Sequence, residues 1–214
     1  MNRFIFNKLA VIPLALAAFC LSTGSAQASG KAAKTILDWK ILGSGTEVKS
    51  GTSYTLFNVT DNDSLRYGER TWGINLVWDK SKALNNIRFD VKGGGSKTLK
   101  YGDVVAIHVK NGGYLYYHHR DIGVNLSWST PAKYEWVIAG GTKGTPVKVG
   151  APLALYNQVE KDFMIFAERP AGVSLRWWKD RELAGGVFDR IGPIAEDLAR
   201  WGFHEIVKEY LGKK

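Results

Sequence analysis

Gly73-Ile74-Asn75-Leu76-Val77-Trp78, Gly123-Val124-Asn125-Leu126-Ser127-Trp128 and Gly172-Val173-Ser174-Leu175-Arg176-Trp177 are one string written three times. The tryptophans stand 50 and then 49 residues apart, a period typical of repeated supersecondary units. Other positions keep the same beat. A basic run ends in glycine in each copy, as Val48-Lys49-Ser50-Gly51, Leu99-Lys100-Tyr101-Gly102 and Val147-Lys148-Val149-Gly150. Apolar residues three and five places beyond that glycine, Tyr54 and Leu56, Val105 and Ile107, Leu153 and Leu155, alternate as strands do.

A second strand is predicted around Leu65 and Tyr67, Leu115 and Tyr117, and Phe163 and Ile165, with the tryptophan string as the third. A fourth is read at Phe89-Asp90-Val91 and at Trp136-Val137-Ile138, each with a glycine four places after the aromatic, Gly93 and Gly140. The third copy lacks this strand, and its match lies near the start of the chain, in Trp39-Lys40-Ile41-Leu42-Gly43. The first strand is therefore expected to complete the last repeat and close the array, because an open stack would leave unpaired strand edges.

The expected fold is all-β. Its three-fold period, with four strands per unit and a wrap-around first strand, resembles the β-trefoil superfamily over nearly all of residues 35 to 178. The resemblance implies three four-strand repeats closed by the N-terminal strand, on a scaffold that hosts lectins, protease inhibitors and other binding proteins. The Gln-x-Trp signature of ricin-type lectins falls on Leu37-Asp38-Trp39 and Tyr134-Glu135-Trp136, where the tryptophans match and the glutamines do not. The chain is thus lectin-like without that signature, and the sugar-binding residues of that family do not transfer.

Three segments are expected. Residues 1–28 read as a signal peptide: Arg3 and Lys8 make a positive start, Leu9 to Leu21 an apolar core, and Ala26-Gln27-Ala28 a small-residue cleavage site. Cleavage there removes Cys20, the single cysteine, and lowers the formal charge by two, from +9 to +7. The predicted location is secreted or periplasmic, with burial and no disulfide holding the domain. Residues 29–180 are the repeat domain. In residues 181–214 the apolar spacing becomes helical, with Leu183, Val187, Ile191, Ile194, Leu198 and Trp201 in one stripe, so a C-terminal amphipathic helical segment is expected.

The charge excess sits on the repeats, since the seven basic and seven acidic residues from Lys179 onward cancel. A basic surface favours acidic partners and also keeps an exposed sheet soluble. Leu76, Leu126 and Leu175 share a face with the string tryptophans, which is read as core. Asn75 and Asn125 fall on the opposite face and hint at a repeated binding position. Glycan binding needs an aromatic plate and a few fixed polar groups. Candidates outside the core beat are Trp72, the turn Asp61-Asn62-Asp63, and Tyr116 with His118 and His119.

No catalytic string is present, and the histidines lack the spacing of a zinc site. The expectation is a non-enzymatic protein, with no cofactor or metal, that binds glycans or glycoconjugates. The alternatives are a protein partner, as for a protease inhibitor or toxin accessory subunit, or an anionic membrane surface reached by the basic repeats and the C-terminal helix. No nucleic acid partner is expected.

Overall fold

The computed structural model describes residues 30–180; the expected signal peptide, 1–28, and the expected C-terminal helical segment, 181–214, lie outside the described residues. Twelve strands follow in order: Trp39–Leu42 (β1), Ser53–Asn58 (β2), Ser64–Tyr67 (β3), Leu76–Asp79 (β4), Ile87–Val91 (β5), Val104–Val109 (β6), Gly113–Tyr117 (β7), Leu126–Ser129 (β8), Trp136–Ala139 (β9), Pro152–Asn157 (β10), Asp162–Phe166 (β11) and Leu175–Trp177 (β12). All pairings are antiparallel, and the described chain is all-β apart from one short turn of 3₁₀ helix at residues 178–180.

Six of the strands close a ring. β1 pairs β2, β2 pairs β5, β5 pairs β6, β6 pairs β9, β9 pairs β10, and β10 returns to β1 through Trp39↔Leu153 and Lys40↔Pro152. The first strand of the domain does seal the array, as its composition predicts. The β-trefoil assignment itself is corrected. In place of three four-strand trefoil repeats, the strands form a closed six-stranded antiparallel barrel with extra strands outside it, the pairs β3–β4, β7–β8 and β11–β12.

The barrel interior is built from alternation. Ile41 faces Leu56, Phe89 faces Ile107 and Ile138 faces Leu155 across neighbouring strands, and all six side chains are fully buried. Burial of large apolar side chains is worth about 1.5–3 kcal/mol each, so this lining supplies much of the driving force in a domain without disulfides. Register corrects one detail of the expected fourth strand. Trp39 and Trp136 each lie opposite an asparagine, Asn58 and Asn157, while Ile87 occupies the same place opposite Val109. Ile87, not Phe89, is therefore the counterpart of the two tryptophans. A slip of two residues keeps the buried face, which is why the alternation did not reveal it.

The outer pairs carry the repeated string. Leu65, Leu115 and Met164 lie directly opposite Trp78, Trp128 and Trp177. Each pair then passes an aromatic ring to the next: Tyr67 contacts Trp128, Tyr117 contacts Trp177 and Phe166 contacts Trp78, with ring centres 6.0, 6.0 and 5.5 Å apart. Trp39 and Trp136 stack beneath Trp78 and Trp177 at 6.1 Å. Their indole nitrogens donate to the carbonyls of Met164 and Leu115 at 2.6 and 2.8 Å. In the third place Asn86 Nδ2 donates to Leu65 O at 3.1 Å, so an amide replaces the missing indole. Trp177 is buried, whereas Trp78 and Trp128 are half-buried against the core, which places the string tryptophans in packing.

Candidate functional site

The loops from β3 to β4, β7 to β8 and β11 to β12 converge. Gly73, Gly123 and Gly172 have φ of 83°, 98° and 84°, the region where a side chain is strained. They also touch: a Cβ on Gly123 would stand 3.3 Å from the Cα of Gly73, one on Gly73 3.6 Å from Gly172, and one on Gly172 3.7 Å from Gly123. Three residues ahead of each glycine is an arginine. Arg70 Nη2 donates to Gly172 O at 2.7 Å, Arg120 Nη2 to Gly73 O at 3.1 Å, and Arg169 Nη2 to Gly123 O at 3.0 Å, a cycle in which each loop holds the next. Hydrogen bonds from a charged donor are stronger than neutral ones, so this ring fixes the loop bases.

Asn75 and Asn125 belong to the same clasp. Their Oδ1 atoms accept from the backbone N–H of Arg70 and Arg120, both at 3.1 Å, and Asn75 Nδ2 donates to the Tyr67 hydroxyl at 3.3 Å. The structure thus occupies the repeated asparagines in loop construction. Apolar spacing does not single out the arginines, although 70, 120 and 169 keep the beat of the glycines.

With the loop bases fixed, the tips are presented outward. Trp72 is 63% exposed and Ile122 53%. Between them opens a cleft of about 500 Å³, lined by Thr71, Trp72, Gly73, His118, His119, Arg120, Asp121, Ile122 and Ser127. Tyr116 extends this surface: its ring lies 5.9 Å from that of His118, and Lys133 Nζ sits 5.7 Å above it. Trp72 from the first hairpin and His118 and His119 from the second therefore share one concavity. The arrangement supplies an apolar ring face, two imidazoles, a carboxylate at Asp121 and a hydroxyl at Ser127, which suits a ligand with both apolar faces and hydroxyl groups.

The turn Asp61-Asn62-Asp63 is not part of it. Asp61 N–H donates to Asn58 Oδ1 at 2.8 Å, and Asp61 Oδ1 lies 3.5 Å from Lys31 Nζ. Burial pushes the Asp61 carboxyl up, with Lys31 opposing. Asn62 has φ 67°, matched by Asn111 at 70° and Lys161 at 59° in the other copies, and asparagine tolerates that left-handed conformation better than most residues. These residues build a hairpin turn.

A second cleft, of about 490 Å³, is lined by Gly51, Asp90, Gly94, Gly95, Tyr114 and Tyr134 among others. Its carboxylate, Asp90, is already engaged. Arg88 Nε donates to Asp90 Oδ1 at 2.8 Å, the Tyr114 hydroxyl donates to Asp90 Oδ2 at 2.9 Å, and His108 packs edge-on against Tyr114 at 5.0 Å. Burial, then the neighbouring Arg88 charge, hold His108 below the usual imidazole value. The loop cleft, whose histidines and Asp121 are exposed, offers more free hydrogen-bonding capacity. No family model matches the chain, and neither the curated proteins nor the solved structures include a match to it.

Proposed function

We propose that this is a secreted or periplasmic, non-enzymatic carbohydrate-binding protein whose glycan lies in the cleft between the first two hairpin loops. The observation that carries this reading is the meeting of Trp72 with His118, His119 and Asp121 in one open cleft, although Trp72 stands 46 or more residues before the other three in the chain. The indole face stacks on the apolar face of a sugar ring, while the imidazoles and carboxylate take its hydroxyls. Loop bases locked by the arginine–glycine cycle hold the two walls in place before the ligand arrives, which reduces the ordering cost of binding.

The test is an oligosaccharide array probed with the mature chain, followed by titration of any hit against the Trp72→Ala variant. Retention of a glycan and at least tenfold weaker binding by the variant are expected, a loss of about 1.4 kcal/mol. An array without hits, or a variant that binds as tightly as the parent, removes the proposal. Export is checked separately by the mass of the protein recovered outside the cytoplasm, which should begin at Ser29.

A protein partner is the second reading, favoured by Trp72 and Ile122 both standing exposed around the same cleft. Large apolar side chains of this kind are common anchors at interfaces. Stoichiometric capture of one protein that Trp72→Ala and Ile122→Ser both release would support it over the glycan.

A further inference from the structure

Three segments lead into β2, β6 and β10 and cross at the other end of the barrel. The hairpin strand β7 pairs with the second half of β6, at Ile107 to Val109, whereas Leu99 precedes the first residue of that strand. The crossing is made by backbone alone: Val48 N–H donates to Val147 O, Leu99 N–H to Val48 O and Val147 N–H to Leu99 O, at 2.9, 2.8 and 2.8 Å. The three apolar side chains are fully buried, and the lysine that follows each, Lys49, Lys100 and Lys148, is exposed.

More cations gather here. Lys92, Lys97 and Lys100 line a concavity of about 640 Å³ together with Thr98, Asp103 and apolar stem atoms of Val91 and Val104. Lys143 lies across Gly102, where an added Cβ would meet its Cγ at 2.9 Å. Against these six lysines stand, among the described residues, Glu47, Asp103 and, in the adjoining cleft, Asp90, which Arg88 and Tyr114 hold; the other two are engaged as well. Glu47 pairs with Lys148 at 2.6 Å, and that hydrogen bond draws its carboxyl below the usual value; Asp103 Oδ2 accepts from Lys100 N–H at 2.8 Å.

We infer that this end of the barrel binds a polysaccharide chain bearing sulfate or phosphate esters. Lysine ammonium groups are compact point charges that meet an oxyanion without the fixed fork by which arginine binds carboxylate and phosphate alike, so the cluster answers to density of negative charge, which sulfate and phosphate esters spaced along a chain supply. The charge surrounds a concavity large enough for a sugar residue, as an anionic chain requires. None of the large exposed apolar residues among those described, Val59, Trp72, Ile122, Tyr134 and Val159, belongs to these segments. A lipid surface is usually met by charge combined with apolar insertion, and single-stranded nucleic acid by a series of exposed aromatic plates; beside this face stands a single exposed ring, Tyr134, in the adjoining cleft with Gly51, Gly94 and Gly95. The site is separate from the loop cleft and does not depend on it.

The probe is dextran sulfate, titrated into the mature protein at low salt and at about 0.15 M ionic strength. Binding that weakens with salt is expected, with neutral dextran inert at this face. The triple variant Lys49→Gln, Lys100→Gln, Lys148→Gln and the double variant Lys92→Gln, Lys97→Gln should each bind roughly tenfold more weakly with a shallower salt dependence. Both should stay folded with melting close to the parent's, since the replaced side chains are exposed and the only ion pair lost among the described residues, Lys148–Glu47 in the triple variant, is a surface one. Trp72→Ala should bind dextran sulfate as the parent does, which separates failure of this site from failure of the loop cleft. Unchanged affinity in both lysine variants would overturn the inference. So would tighter binding to phosphatidylglycerol vesicles or single-stranded DNA than to dextran sulfate, or equal binding to neutral dextran.

Discussion

The two ends of the barrel are closed by different means, and the difference decides which side chains each end can offer. At the crossing of Val48, Leu99 and Val147 the backbone satisfies itself in a three-membered cycle of N–H to carbonyl bonds. No charged side chain is needed there, so Lys49, Lys100 and Lys148 remain exposed. At the hairpin end the cycle runs through side chains instead, from arginine to glycine carbonyl, with asparagines bracing two of the three loops. There the cations are consumed by the fold, and only the loop tips are left for binding. The charge a sequence carries is therefore a poor guide to the charge a surface presents: the arginines serve as clasps and the lysines face the solvent.

Removing packing should test the hairpin end most severely. Trp177 is buried, stacks on Trp136 and meets Tyr117, so Trp177→Ala should cost about 3–5 kcal/mol. Trp128 is only half-buried, and its replacement by alanine should cost less than that of Trp177. Equal losses in denaturant melts would mean that the three copies share the load evenly and that the difference in burial has no energetic meaning.

The hairpin end also holds the buried carboxylates. Asp162 accepts from Phe163 N–H at 2.7 Å and from Lys179 N–H at 2.9 Å, yet burial pushes its carboxyl up to about 7. A carboxyl raised above its unfolded value of about 3.9 favours folding most in the protonated state. Its contribution is full below about pH 4, is lost as pH rises through about 7, and amounts to on the order of 4 kcal/mol. Asp162→Asn should flatten that stretch of the stability–pH curve, measured by urea melts at several pH values. A variant with the parent slope would transfer the effect to Asp38, whose carboxyl is also raised by burial against bonds from Thr60, Phe166 and Asn58.

Close approach of the loops gives the next effect. Gly123→Ala places a methyl group 3.3 Å from Gly73 Cα at a φ of 98°, and should cost about 2 kcal/mol. At the lysine end Gly51 also has positive φ, 76°, but an added Cβ meets nothing within 4 Å, so Gly51→Ala should cost about 1 kcal/mol. The comparison isolates the contact from the backbone conformation.

How much of this was open to reading follows from where each signal lives. Closure was legible because Trp39 and Gly43 repeat the aromatic and glycine of Trp136 and Gly140, a pattern carried by residue type along the chain. The place of Ile87 was hidden, since Phe89 and Gly93 mimic that pattern two residues late and the inward face is the same either way. The division into a six-stranded wall and three outer pairs depends on which strand each edge meets, which no periodicity states. The candidate residues were partly legible. Trp72, His118, His119 and Tyr116 were distinctive as aromatics off the core beat, but their meeting depends on loop geometry, as does the separation of Asp61, Asn62 and Asp63 from them.

The smallest predicted effect is the sharpest test of the contrast between the ends. Arg120 is half-buried and donates to Gly73 O at 3.1 Å, and Arg120→Met keeps much of the apolar stem while leaving that carbonyl without its cation. The cost should be about 1.5–2 kcal/mol, the low end for a hydrogen bond to a charged group, because the place is only partly buried. Lys100→Gln exchanges an exposed cation of the same chain for a neutral side chain and leaves the Leu99 bonds intact, because they are made by backbone. It should change stability by less than about 0.5 kcal/mol, as most surface replacements do. Both variants remove one positive charge, so net charge cannot account for a difference between them. If the two lose equal stability, the arginines are ordinary surface cations and the hairpin loops are held by their glycine contacts and asparagines alone.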